Sequence, residues 1–89
     1  MKTIYKYPLK ITPVQDIEIP SGSTLLSVQV QNELPCLWVL ILDTTARKTV
    51  IRLRTVLTGE QINDGFIGIS KFLGTYQIRG FVGHVFQTF

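Results

Sequence analysis

Short stretches in which apolar and polar residues alternate recur along the chain and predict β-strands. The clearest pair is Leu25–Gln31 and Cys36–Leu42. In the first segment apolar and polar residues alternate, as in a strand with one solvent-exposed face, and the second is a continuous apolar run. The run is too short to cross a bilayer and has the composition of a central strand. We predict that this pair builds the core. Its predicted inward-facing or buried residues are Leu26, Val28, Val30, Cys36 and Trp38.

The remaining chain shows the same alternation between turn signals, and no stretch of it has apolar residues at helical spacing. At most, Glu60–Asn63 could form one helical turn. Pro8 lacks a backbone N–H, which predicts an edge strand around it. The further predicted strands are Ile4–Ile11, Val14–Ile19, Lys48–Thr58, a bent strand made of Phe66–Ile69 and Phe72–Ile78, and Phe81–Phe89.

This pattern predicts one domain, residues 1–89, of the all-β class. The fold expected is a small β-sandwich or partly open barrel of about seven short antiparallel strands, with a strand order that cannot be read from the sequence. Of the 89 residues, 45% are hydrophobic and 17% are charged. Since a small monomer usually covers itself with charged residues, this composition predicts a homo-oligomer.

Charge and cysteine content narrow the expected partners and location. The net charge of +3 mildly favours anionic partners, and a single cysteine fits a reducing cytoplasm. No apolar stretch is long enough for a membrane span, so no membrane partner is expected. Tyr5 and Tyr7 are predicted on the face opposite Lys6 and Lys10, which argues against a nucleic-acid surface that interleaves aromatic and basic residues.

Groups that could carry chemistry are few. The chain has one histidine, one cysteine, three aspartates and three glutamates, with no spacing typical of a metal site or a nucleophile and its base. We therefore predict that the protein is not an enzyme and has no catalytic residue, metal or cofactor.

Cationic residues are the better candidates for a binding site. Arg52 and Arg54 lie two apart on a predicted strand, so both should project from one face about 7 Å apart, a spacing suited to phosphate or carboxylate. A solvated sheet face is the alternative interpretation. Arg79 is predicted in a hairpin turn. His84 follows Gly83, which could let a ligand approach the backbone. Lys71 completes the candidate ligand-binding set.

Several segments in order along the chain resemble a family of small uncharacterised phage and prophage proteins. They are Lys2-Thr-Ile-Tyr-Lys-Tyr-Pro-Leu, Leu26-Ser-Val-Gln-Val-Gln, Pro35-Cys-Leu-Trp, Thr58-Gly, Gly74-Thr-Tyr-Gln and Phe81-Val-Gly-His-Val-Phe. The resemblance implies a domain of unknown function that acts in the cytoplasm of an infected bacterium in a non-structural accessory role.

Together these observations favour a non-enzymatic phage accessory protein that counters host defence by binding. Its partner would be an anionic nucleotide signal, which it sequesters, or a host defence protein, which it inhibits by strand addition at an open sheet edge. The alternative from another class is a minor virion or assembly component. Charge alone would support weak nucleic-acid binding.

Overall fold

Seven antiparallel strands and one helical turn make up the fold. The structure is a computed structural model that describes residues 2–89, with Ile67 described by its backbone alone. The elements are β1 (Thr3–Pro8), β2 (Val14–Pro20), β3 (Thr24–Gln31), β4 (Leu34–Ile41), β5 (Lys48–Leu57), α1 (Asp64–Gly68), β6 (Ser70–Ile78) and β7 (Phe81–Thr88). The prediction of a small all-β fold with about seven strands is confirmed.

The strands form two sheets, one of three strands in the order β1-β4-β3 and one of four in the order β2-β5-β7-β6. Two tight hairpins, β3–β4 and β6–β7, connect strands that are neighbours in both chain and sheet. Their turn residues Asn32, Glu33, Arg79 and Gly80 all have positive φ angles, between 52° and 80°. Two consecutive positive φ values are typical of the type I′ turn, whose twist matches that of paired strands.

The core lies between the two sheets. Its fully buried members include Leu37, Val39 and Ile41 from β4, which face Leu53 of β5 and Val85 of β7. Strand β4, the continuous apolar run, is central in its sheet, and β5 and β7 are central in theirs, so these core residues lie on strands that have a neighbour on each side.

The two sides of this sandwich differ. On one side β3 packs against β6, where Gly74 lies against the backbone of Val28. On the other side β1 and β2 are the free edges of their sheets, joined by the short crossing from Leu9 to Pro13. Pro8 lies on edge strand β1, as its missing N–H predicts.

Strand β3 departs from the predicted alternation because it contains a bulge. The register shifts between Leu25 and Ser27, so Leu25 and Val28 face the core, whereas Leu26 is 46% exposed. Val30, next to the Asn32–Glu33 turn of the β3–β4 hairpin, is also exposed. The prediction that Leu26 faces the core is therefore wrong, and the prediction for Val28 is confirmed. Val30 lies on the same face as Val28 but outside the buried core.

Trp38 also differs from its predicted core position. It pairs with Lys6 of β1 and Ser27 of β3, which places it on the outer face of the three-stranded sheet, where it is half-buried. Cys36 is buried as predicted. A continuous apolar run hides which of its residues face outward, because the alternation that would reveal them is missing.

The segment Phe66–Ile69, predicted as part of a bent strand, forms most of α1 instead. Asn63 caps this helical turn, since its side-chain oxygen accepts a hydrogen bond from the Gly65 N–H at 3.0 Å. The one helical turn that the sequence allowed at Glu60–Asn63 thus lies at Asp64–Gly68.

Candidate functional site

The outer face of the four-stranded sheet carries three of the five predicted ligand residues. In the β5–β7 register Arg52 lies opposite Thr88, Arg54 opposite Phe86, and Val56 opposite His84. Directly opposite residues share a face, so Arg52, Arg54 and His84 project to the same side. The alternation of β5 predicts this placement of the two arginines. Their role in ligand binding stays a prediction.

Arg52 is bound to a carboxylate of its own chain. Its Nε and Nη2 atoms donate to the two carboxylate oxygens of Asp16 on β2, at 2.9 and 3.2 Å. This hydrogen bonding holds the pKa of Asp16 below its ordinary value. The arginine side chain is 62% exposed, and exposed pairs contribute little to stability. The pair lies beside a shallow depression of about 340 Å³ that is also lined by Val50, Thr88 and Phe89.

Arg54 is held by the segment that follows β5. Its Nη2 donates to Glu60 at 3.2 Å, and its guanidinium lies 5.0 Å from the ring centre of Phe66 in α1. The other Glu60 oxygen accepts the Leu57 N–H at 3.0 Å, and this bond is the main cause that lowers the pKa of Glu60. Phe66 also packs edge-on against Phe86, so the segment covers this part of the sheet.

His84 is fixed from both sides by threonine hydroxyls. Its Nε2 lies 2.7 Å from Thr58 Oγ1 and its Nδ1 lies 2.8 Å from Thr75 Oγ1. In the neutral ring one nitrogen donates and the other accepts, so each threonine takes the complementary role. Gly83 faces the core, where a Cβ atom would stand 2.8 Å from the Tyr76 ring. The room predicted beside Gly83 is therefore filled by the protein itself.

The other two predicted residues lie elsewhere. Lys71 pairs with Gln87 and alternates with Phe72, whose ring contacts Phe86 on the outer face; Lys71 is therefore directed to the other face of β6. Arg79 lies in the β6–β7 turn, about 23 Å along β7 from the Thr88 end that pairs with Arg52. The five candidates do not form one cluster.

An apolar cleft lies where β5 and β7 approach this turn, and the sequence does not reveal it. One part, of about 190 Å³, is bordered by the β1–β2 crossing and by Phe81, and an adjoining part of about 240 Å³ extends to Gly80. The lining residues are Ile11, Thr12, Pro13, Thr55, Leu57, Glu60 and Phe81 in the first part and Leu57, Thr58, Gly80, Phe81 and Val82 in the second.

Three of the predicted residues are connected to this cleft. Arg54 binds Glu60 and His84 binds Thr58, and both of these partners line the cleft. Arg79 immediately precedes Gly80 at its rim. Among residues 2–89, the ion pairs are those of Arg52 and Arg54, which leaves Arg79 without a carboxylate partner.

A buried polar group lies behind the cleft wall. Thr55, which is 6% exposed, lines the cleft. A Cβ atom on Gly83 would stand 2.9 Å from the Thr55 methyl carbon and 2.8 Å from the Tyr76 ring, so Thr55 and Tyr76 flank the same glycine. The Tyr76 hydroxyl is buried and has no hydrogen-bond partner in the part of the chain that the structure describes. Burial raises the pKa of Tyr76, an effect that the nearby Thr55 side chain opposes.

Within the described residues, no group of three or more His, Cys, Asp or Glu side chains could hold a metal ion. Among the described residues, no helix is long and apolar enough to cross a membrane.

The fold and its cleft define a small two-sheet β domain with a shallow, mainly apolar site. The chain belongs to the family described as Domain of unknown function (DUF7352), whose model matches residues 1–89. No curated protein and no solved structure matches the chain.

Proposed function

We propose that this protein is a non-enzymatic binding protein that sequesters an anionic small molecule of the nucleotide class in the cleft between Pro13, Leu57 and Phe81. The observation that carries the proposal is the position of Arg79, a cation without a carboxylate partner among the described residues, beside an apolar cleft. Ligand sites are typically apolar clefts with a few oriented polar groups.

The cleft offers a separate contact for each part of a nucleotide. Its apolar walls would pack against the base, and the Arg79 guanidinium would bind phosphate oxygens. Glu60 would accept an N–H from the base edge, because a carboxylate can accept more hydrogen bonds than the two that Leu57 and Arg54 donate. Thr58, held by His84, adds a hydroxyl at the rim.

The biological setting forms part of the proposal. A phage accessory protein that removes a nucleotide signal would act against host defence in the bacterial cytoplasm. The support for this setting is the resemblance of the sequence to small phage and prophage proteins.

A panel of linear and cyclic nucleotides tests the binding. At a concentration of one hundred times its Kd, a ligand adds about 2.7 kcal/mol to the free energy of unfolding, which raises the melting temperature of a domain of this size by roughly 10–20 °C. Arg79→Ala should weaken binding at least tenfold, since charged hydrogen bonds are the strongest contacts available.

Arg47→Ala is the matched control, because Arg47 is an exposed arginine just before β5 and thus at the opposite end of that strand from Leu57. Equal affinity for wild type and Arg79→Ala would place the ligand elsewhere. No shift with any nucleotide in the panel would reject the proposed ligand class.

Open sheet edges favour a second candidate, a protein-interaction or assembly component. Within the described chain, both β1 and β2 have one side without a neighbouring strand, and strand addition is a common way to recognise a partner through such an edge.

A further inference from the structure

The free edges of β1 and β2 present backbone groups that can still pair. The Leu9 N–H donates to the Pro35 carbonyl of β4 at 2.8 Å. In an antiparallel ladder every second residue faces the neighbour, so Ile4 and Lys6 turn their N–H and C=O groups away from β4. Pro8 belongs to the same alternate set, and its missing N–H leaves only a carbonyl on that side.

The same reasoning applies to β2. The Thr55 N–H donates to the Pro13 carbonyl at 2.8 Å, which fixes the alternation against β5. Asp16 and Glu18 therefore direct their backbone N–H and C=O groups outward. Both edges lie on the same side of the sandwich, because the crossing from Leu9 to Pro13 joins them directly.

The space between these two edges is incompletely covered. Tyr5 faces inward opposite Val39, but it is 42% exposed, and Tyr7 and Ile17 are half-buried against the core. On the opposite side the contact of β3 with β6 closes the sandwich. The molecule thus has one closed side and one open side.

The two open edges carry opposite charges. Lys2, Lys6 and Lys10 lie along β1 and its ends, whereas Asp16 and Glu18 lie on β2, and all five are exposed. The Lys6 amine donates to the Gln31 side chain of β3, and Asp16 binds Arg52 of β5. Among the described residues Lys6 has no carboxylate partner and Glu18 has no cation partner, so these two side chains carry the charge that a second copy could meet.

We propose that the open side binds a second copy of this chain, with β1 of each copy adding antiparallel to β2 of the other. A two-fold axis parallel to the strands, between the sheets, exchanges the two edges and continues both sheets at once. Such an axis also brings each lysine-bearing edge against an acidic edge. The β1–β2 crossing borders both this interface and the nucleotide cleft, but the interface is argued from the sheet edges and does not rest on the function proposed for the cleft.

Symmetry also sets the register. Rotation about a two-fold axis parallel to the strands leaves the position of every residue along that axis unchanged. Each β1 residue therefore pairs with the β2 residue of the second copy that lies at the same position along the axis. The crossing from Leu9 to Pro13 sets that height and places Lys6 opposite Asp16 of the second copy, with Glu18 of that copy on the diagonal. Pro8 then needs no N–H, because its carbonyl accepts from Val14 of the second copy.

The size of the open side predicts the strength of association. Edge strands of six or seven residues are about 20 Å long, and the shortest extent of the molecule is 16 Å. The footprint of each copy is therefore about 320 Å², below the size of a standard interface. We expect a weak, reversible dimer that forms at micromolar or higher protein concentration.

Sedimentation of the full chain from about 1 μM to 1 mM tests the association. The expected result is a concentration-dependent monomer–dimer equilibrium. Lys6→Glu should raise the dissociation constant about tenfold, because it places like charges opposite each other twice in the dimer. Lys71→Glu, which changes an exposed lysine on β6, should leave the constant unchanged.

A second substitution separates this register from any other charged contact. Glu18→Lys alone should weaken the dimer relative to wild type. Added to Lys6→Glu, it should tighten the dimer relative to Lys6→Glu alone, because the two substitutions together place opposite charges on the diagonal. A monomer at 1 mM would overturn the proposal and leave the edges for a different protein. A dimer that Lys6→Glu and Lys71→Glu affect equally would overturn it too.

Amide hydrogen exchange gives a readout that does not depend on a variant's fold. At dimer-forming concentrations the N–H groups of Ile4, Lys6, Asp16 and Glu18 should exchange at least tenfold more slowly than in dilute protein. The already bonded Leu9 and Thr55 N–H groups serve as references. Unchanged exchange at the four edge amides while a dimer is present would show that another surface pairs.

Discussion

Gly74 on β6 lies so close to Val28 on β3 that a Cβ atom at position 74 would stand 2.6 Å from the Val28 carbonyl oxygen. The atoms it would meet are all backbone, at 2.6 to 3.3 Å, so no flexible side chain could move aside. The two sheet edges meet here because position 74 has no side chain. This contact closes one side of the sandwich and leaves the cleft and the open edges on other parts of the surface.

Gly74→Ala should therefore separate β3 from β6. We expect the free energy of unfolding to fall by about 2–3 kcal/mol, as for other overpacked sites, measured by urea denaturation. Gly68→Ala is the control, because a Cβ there meets nothing within 4 Å. It should change the free energy of unfolding by less than about 1 kcal/mol. Equal losses for both variants would contradict the close approach.

Tyr76→Phe should stabilise the protein. The substitution removes a buried hydroxyl that has no partner in the described structure, and such a group typically costs 1–3 kcal/mol. We expect the free energy of unfolding to rise by about 1 kcal/mol. Tyr7→Phe, at a half-buried position, should change it little. A destabilised Tyr76→Phe variant would show that the hydroxyl has a partner in solution.

Acid should weaken the fold through Asp16 and Glu60. Hydrogen bonding lowers both pKa values below the ordinary 3.8 and 4.5, so the folded state binds fewer protons than the unfolded state. The stability contributed is full above about pH 4.5 and disappears as pH falls through the lowered values. Urea midpoints between pH 7 and pH 2.5 measure this loss.

Replacing one carboxylate at a time measures how much each contributes to the loss of stability at low pH. Asp16→Asn and Glu60→Gln should each make the urea midpoint less dependent on pH below 4.5. Glu33→Gln, in the β3–β4 turn, is the control, since no ion pair involves Glu33 within the described chain. Unchanged pH dependence in both test variants would contradict the role of these bonds.

Phe66→Ala should open the cover over the four-stranded sheet. Phe66 is 8% exposed, with its ring centre 5.1 Å from that of Phe86. Its truncation should lower the free energy of unfolding by about 3 kcal/mol. Phe72 contacts the same ring at 5.4 Å but is 55% exposed, so Phe72→Ala should cost about 1 kcal/mol. Equal losses would mean that the cover contributes nothing beyond a surface contact.

The strands that alternate cleanly could be predicted from the sequence, because alternation records which residues face the core. On β2, Ile17 and Ile19 face inward and Asp16 and Glu18 outward, which is the arrangement that the alternation in Val14–Ile19 indicates. The alternation does not reveal the bulge after Leu25. One extra residue reverses the faces around it, and nothing in Leu-Leu-Ser reveals where the extra residue lies.

The candidate site was less predictable for a different reason. Its arginines were found from their spacing, but their carboxylate partners depend on pairing between distant segments: Asp16 precedes Arg52 by 36 residues. The cleft combines the β1–β2 crossing with the ends of β5 and β7. Exposed apolar residues such as Leu57 cannot be distinguished from core residues in the sequence, since a cleft wall and a core face have the same composition.

The crossing between β1 and β2 also affects how the chain reaches its native state. Each of the first two strands pairs with a strand that is synthesised much later, β4 for β1 and β5 for β2. The two hairpins can form as soon as their residues leave the ribosome, whereas the first twenty residues must wait for distant partners. Folding should therefore begin in the β3–β4 hairpin, and β1 should join its sheet after that hairpin has formed.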